Sequence, residues 1–282
     1  MRIELNRTLL VCFALQLGLA ADPAANTTEL SREASVDRAF RQLYNFDFVA
    51  SRETAQSYVR TKGEDPMGYA SLAAAYLFSE MNRLEVFNKD MLREEKVSGE
   101  QAKKIGEEAR REFLEAVART KQTAEAALAK NSKDANALRA LVIATGAERD
   151  FAALVEKRLK DSYYAAKASQ EYALRLQAVD PEDSDAWFTR GFSEYLVGSV
   201  PFVLRWLMKI EQVKGDKDKG VAFMEICANK GKYLKPFAQM MLATIYQKEK
   251  RWKEQRAMLE AFAADHPENT TVKRELAKLD RR

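Results

Sequence analysis

The tightest constraint on this chain lies between Asp180 and Pro267, where one spacing of large and small side chains occurs twice. Trp187, Gly191 and Tyr195 stand four apart, so on a 3.6-residue period they fall along one stripe of a helix. Gln239, Leu242, Ala243 and Tyr246 repeat the stripe at offsets 0, 3, 4 and 7. Between them Gly215-Asp216 opens a helix carrying Val221, Met224, Ile226 and Cys227. Afterwards Trp252, Leu259 and Phe262 share a face that stops at His266-Pro267. Two helix pairs in tandem, bounded by Asp180-Pro181 and His266-Pro267, predict hairpins that nest against each other.

The rest of the chain reads as looser copies of that unit. Ala, Leu, Lys, Glu, Gln and Arg dominate, only 6 prolines and 11 glycines interrupt them, and no run of alternating β-branched residues is bounded by turn chemistry. The fold class is all-α. A helix is expected from about Ser31, with Ala39, Leu43 and Phe46 on one stripe, and a second after Asp47-Phe48, carrying Ala50, Ala55 and Tyr58 and ending near Gly63. Asp65-Pro66 restarts the chain with Asp as N-cap and Pro at the first helical position. Tyr69, Leu72, Ala73 and Tyr76 follow at the same offsets. After a charged connector from Asn82 to Gly99, Ile105, Ala109, Phe113, Ala116, Val117, Thr120, Ala124 and Leu128 keep helical phase to about Lys130. Residues 150–179 hold two helical patterns with no Pro or Gly to mark the turn between them.

Those offsets, with the closing Asp180-Pro181 and His266-Pro267, resemble the tetratricopeptide repeat, whose unit is about 34 residues. The resemblance implies a right-handed superhelical solenoid of helix pairs over residues 31–282, with units near 31–65, 66–132, 133–181, 182–232 and 233–267 and a capping helix at 268–282. The anchors Tyr69, Leu138, Trp187 and Gln239 stand further apart than one regular unit, so the copies carry insertions. In such a repeat the crossing point of the two helices must be Gly or Ala, and the aromatic fills the space beside it. Residues 187–246, including the apolar insertion Pro201, Phe202, Leu204, Trp206 and Leu207 before the Gly215 to Gly220 turn, resemble the tetratricopeptide-repeat domain 39 and Iml2 family. The chain is also similar to the T-component of tripartite periplasmic transporters.

The first residues stand outside this pattern. Arg2 and Arg7 precede an apolar run from Thr8 to Leu19, and Gly18-Leu19-Ala20 supplies the small residues of a cleavage site. The run is short for a membrane-spanning helix. Residues 1–21 therefore read as a signal peptide, with an uncleaved anchor as the other reading, and 22–30 as a flexible leader. Export to the periplasm or outside follows. Cleavage leaves Cys227 as the only thiol, a packing residue on the inner face of its helix. The net charge of +4 is spread along the helices, which describes a solvated surface and not a nucleic-acid footprint.

Reactive chemistry is sparse. The single histidine, His266, sits at a helix stop, no His-Cys cluster offers metal ligands, no Gly-rich loop follows a strand, and no serine has a histidine to activate it. Glu94 with Glu95 and Glu107 with Glu108 are adjacent pairs that point to different faces. The reading is a protein without enzymatic activity, metal or cofactor. By the repeat's geometry a concave face would present Arg139, Phe188, Phe192, Tyr195, Met240, Thr244, Gln247 and Lys248. Phe188, Phe192 and Tyr195 would either pack against the 201–208 insertion or form an aromatic trough for a peptide or apolar ligand. The insertion itself would fold back onto the helices or touch a membrane surface with Arg205 and Lys209 towards the head groups. Ala74, Ile143, Phe192 and Thr244 replace the asparagine that some repeat proteins use to clamp a carboxylate. The expected function is a scaffold for a protein or peptide partner at the cell envelope; the alternative is a transport-associated protein holding a small apolar ligand in an internal pocket.

Overall fold

The computed structural model describes residues 35–84, 106–199 and 215–281. The signal run, the leader, the start at Ser31, most of the charged connector, Ile105 and the whole 201–208 insertion lie outside the described residues. Among the described residues every regular element is helical. α1 covers residues 35–44. α2 spans Phe48–Thr61, α3 Pro66–Arg83, α4 Glu107–Lys130 and α5 Ala135–Asp150. A π-helical turn, Phe151–Val155, precedes α6, Leu159–Val179, and α7 is Asp185–Ser199. α8 is Lys217–Lys230, α9 Lys235–Lys248, α10 Trp252–Asp265 and α11 Thr270–Leu279. Among the described residues, no helix is long and apolar enough to cross a membrane.

Short polar side chains start five of these helices. Asp47, Asp65, Asp134, Asp216 and Asn269 each accept a backbone N–H of the first turn, at 2.9–3.1 Å. Each satisfies one of the donors that a helix start leaves unpaired. Asp65-Pro66 acts as the sequence indicates, with Pro66 where its missing N–H costs nothing.

The helices pack as successive pairs. α3 lies on α4, α5 on α6, α7 on α8 and α9 on α10, and each pair also meets the first helix of the next, with α3 touching α5 and α5 touching α7. The α7–α8 approach is close because two glycines face each other. A Cβ on Gly191 would sit 2.6 Å from the carbonyl oxygen of Gly220, and one on Gly220 would sit 2.7 Å from that of Gly191. Further along the same seam Gly198 abuts Gly215, so α7 ends beside the point where the chain enters α8.

The two ends of the described chain meet. Tyr44 on α1 donates from Oη to the Tyr233 carbonyl at 2.7 Å, and its own carbonyl accepts from Asn269 Nδ2 at 2.7 Å. Its ring lies edge-on to Phe78 of α3 and to Phe262 of α10. Phe78 in turn meets Phe237 of α9, which meets Phe188 of α7. Aromatic rings from α1, α3, α7, α9 and α10 thus share one core. Edge-to-face pairs of this kind add about 0.5–1.5 kcal/mol each to the area they bury.

Two sequence expectations shift. Phe46 is not on the α1 stripe: α1 ends before it, and Phe46 takes φ 66° in the turn. Trp252 opens α10 at 39% exposure instead of joining Leu259 and Phe262 in the core. A residue in the first turn of a helix overhangs the preceding loop, so helical phase alone misplaces it.

Candidate functional site

The positions expected on a concave face occupy two environments. Phe188, Phe192, Tyr195 and Met240 are buried: the three aromatic residues are packed and form no open trough, and the exposure expected of Met240 is not found. The physical reason is the shared aromatic core: Phe188 stacks on Phe192 with centroids 5.7 Å apart and packs on Phe237 at 5.0 Å. The five insertion positions, Pro201, Phe202, Leu204, Trp206 and Leu207, lie outside the described residues. Along α9 the row opens progressively: Met240 is buried, Thr244 and Gln247 are half-buried, and Lys248 is exposed. Burial raises the Tyr195 pKa, and the Glu249 carboxylate adds to the rise.

Arg139 is engaged in structure. Its Nε donates to Asp183 Oδ2 at 2.6 Å and its Nη2 to Asp180 Oδ2 at 3.4 Å. Asp183 also accepts the backbone N–H groups of Asp185 and Ala186. Next to it, the buried Asp185 carboxylate accepts three N–H groups from the turn between α8 and α9: Lys232 at 2.8 Å, Tyr233 at 2.8 Å and Leu234 at 2.9 Å. α9 has no cap from its own flanking residue, so a carboxylate almost fifty positions upstream supplies the acceptor. Burial, with Asp183 alongside, pushes the Asp185 pKa up to about 6, against the pull of those N–H groups. Cys227 Sγ lies 3.9 Å from Asp185 Oδ1, and burial raises its thiol well above the usual range. It is a packing residue in surroundings that disfavour the thiolate.

His266 follows α10 and packs between Tyr44 and Phe262, with centroids 5.5 and 5.0 Å away. Burial lowers its pKa to about 4; Lys235 and Arg41 push the same way and Asp265 opposes them. Its Nδ1 has no hydrogen-bond partner.

One buried group was illegible in the sequence. Arg149 is 3% exposed and makes a two-pronged ion pair with its neighbour Asp150, Nε to Oδ1 at 2.8 Å and Nη2 to Oδ2 at 2.9 Å. Its guanidinium lies 4.5 Å over the Phe192 ring, and Nη1 has no partner. The signal available was an adjacent Arg-Asp at the end of α5, which periodicity places on different faces. Among the described residues no group of three or more His, Cys, Asp or Glu side chains could hold a metal ion. No protein-family model matches this chain, and no curated protein matches it.

Proposed function

We propose that this protein is a non-enzymatic binding scaffold of tetratricopeptide-like helix pairs, wound as a superhelix, that holds a protein or peptide partner at the cell envelope after export. The observation that carries the reading is the graded α9 row, in which Met240 is buried, Thr244 and Gln247 are half-buried and Lys248 is exposed. Polar side chains rimming an apolar floor are the anatomy of a protein-binding surface. The Gly191–Gly220 crossing supports it, because it fixes the angle between paired helices on which such a surface depends. The test is capture from an envelope extract with the wild type and with Thr244→Arg/Gln247→Glu, read by mass spectrometry. A partner lost by the variant supports the scaffold; identical capture by both contradicts it.

A second reading, a small apolar ligand held internally, is favoured by Arg149. A buried N–H with no acceptor leaves a desolvation cost of about 1–3 kcal/mol, which an apolar ligand bearing an acceptor would relieve above Phe192. Native mass spectrometry of the purified protein tests it: a mass retained by the wild type supports this reading, and a bare polypeptide mass removes it.

A further inference from the structure

The N-terminal helix of the described chain is docked on the C-terminal third through a strained hinge. Val36, Ala39, Phe40, Leu43 and Tyr44 form one buried stripe of α1. That stripe seats on α2 and α3 and, across the chain, on Tyr233, Phe262 and His266, with Asp37 3.6 Å from Lys232 and the Glu268 N–H donating to Asn45 Oδ1 at 3.2 Å. Buried Asp37 Oδ1 and His266 Nδ1 both lack a hydrogen bond, so this seam is incompletely satisfied.

The hinge is residues 45–47. Phe46 N–H donates to the Leu43 carbonyl at 3.0 Å and Asp47 N–H to the Gln42 carbonyl at 3.0 Å. These two bonds are the pattern that ends helices at a left-handed residue, normally glycine. Here the residue is Phe46 at φ 66°, a bulky side chain in a region that costs L-residues energy. If Phe46 relaxed to helical φ, α1 and α2 would join as one rod from residue 35 to 61, about 40 Å long at 1.5 Å per residue.

We propose that α1 exchanges between two copies of this chain: the seat beside Tyr233, Phe262 and Asn269 accepts the α1 of a second copy, giving a reciprocally swapped dimer. The occupant is specified by the seat itself, since another copy's α1 brings the same stripe, the same Asp37 charge against Lys232 and the same Tyr44 hydrogen bonds. Every interaction that opening breaks across the α1 seat re-forms between the two copies, and the left-handed strain at Phe46 is released in both.

The test uses full-length chain in a Cys12→Ser background, leaving buried Cys227 as the native thiol. One copy carries Asp37→Cys and another Lys232→Cys. The two are co-refolded at high concentration and treated with a short bis-maleimide. Cross-linked heterodimer on a denaturing gel is the expected result, together with a dimer by light scattering. Placing Phe46→Gly in both copies removes the strain from the closed form and should lower the cross-linked yield tenfold or more. A wild type that stays monomeric, or a dimer whose 37–232 cross-link forms only when both cysteines are on one chain, overturns the proposal. A yield indifferent to Phe46→Gly overturns the role of the hinge.

Discussion

Gly191 and Gly220 face each other across the α7–α8 crossing so closely that a methyl group on either would meet the other's carbonyl oxygen at 2.6–2.7 Å. The nearest atoms on each side are backbone, which cannot rotate away as a flexible side-chain end can.

Gly191→Ala should therefore destabilise the protein by about 1–3 kcal/mol through overpacking, although Ala is the better helix former. Gly146→Ala supplies the contrast. Its new Cβ would lie at an ordinary 3.7 Å from Ser169 Oγ, so helix propensity decides, and the expected change is a gain of up to about 1 kcal/mol. Thermal unfolding of both variants checks the opposite signs; a stable Gly191→Ala would refute the crossing.

Asp185→Ala removes the acceptor for three backbone N–H groups at the start of α9. A lost cap and orphaned buried donors together should cost about 2–4 kcal/mol. Hydrogen exchange should show the first turn of α9 exchanging faster than the α3–α4 pair. Uniform loss over the whole chain would argue that Asp185 does not hold this seam in particular.

Acid sets two buried groups against each other. Asp185 titrates near 6 when folded, against 3.8 when unfolded, so the folded state binds the extra proton and lowering the pH from about 6 to 4 adds stability. His266 titrates near 4 when folded, against 6.5 when unfolded, so the unfolded state binds the extra proton and the same change removes stability. The two offset in the wild type. Asp185→Asn should leave the histidine loss uncompensated and steepen acid destabilisation between pH 6.5 and 4. His266→Gln should reverse the slope, so that the variant gains relative to wild type as pH falls. Urea midpoints across that range check it; three parallel curves would contradict it.

Arg149→Met strands the buried Asp150 carboxylate and should cost about 3–5 kcal/mol. Arg149→Met with Asp150→Leu removes the pair together and should recover most of that loss. A double variant as unstable as the single one would show that the pair does more than neutralise itself.

Helical periodicity carries the all-α class and the buried stripes at Phe113, Ala116, Val117, Thr120 and Ala124, because those residues repeat every turn. Asp65-Pro66 and Asp216 were legible because capping is local. The joint between α5 and α6 was not: Lys157 takes φ 60° there after a π-helical turn, with no Gly or Pro to announce it. Gly191 was legible as a crossing point, but its partner Gly220 reads as a turn residue, since only tertiary packing pairs them. Packing of Phe188 and Phe192 was legible as one of two readings, while their partners were not, because Phe78, Phe188 and Phe237 come from three separate helix pairs and meet only when the chain closes on itself.

The most direct measurement of the binding role is lysine footprinting of the protein with and without partner captured from envelope extract. The Lys248 amine, at the exposed end of the α9 row, should be protected from acylation in the complex while Lys130, at the exposed end of α4, reacts as before. Equal reactivity of Lys248 in the free and bound protein would contradict it.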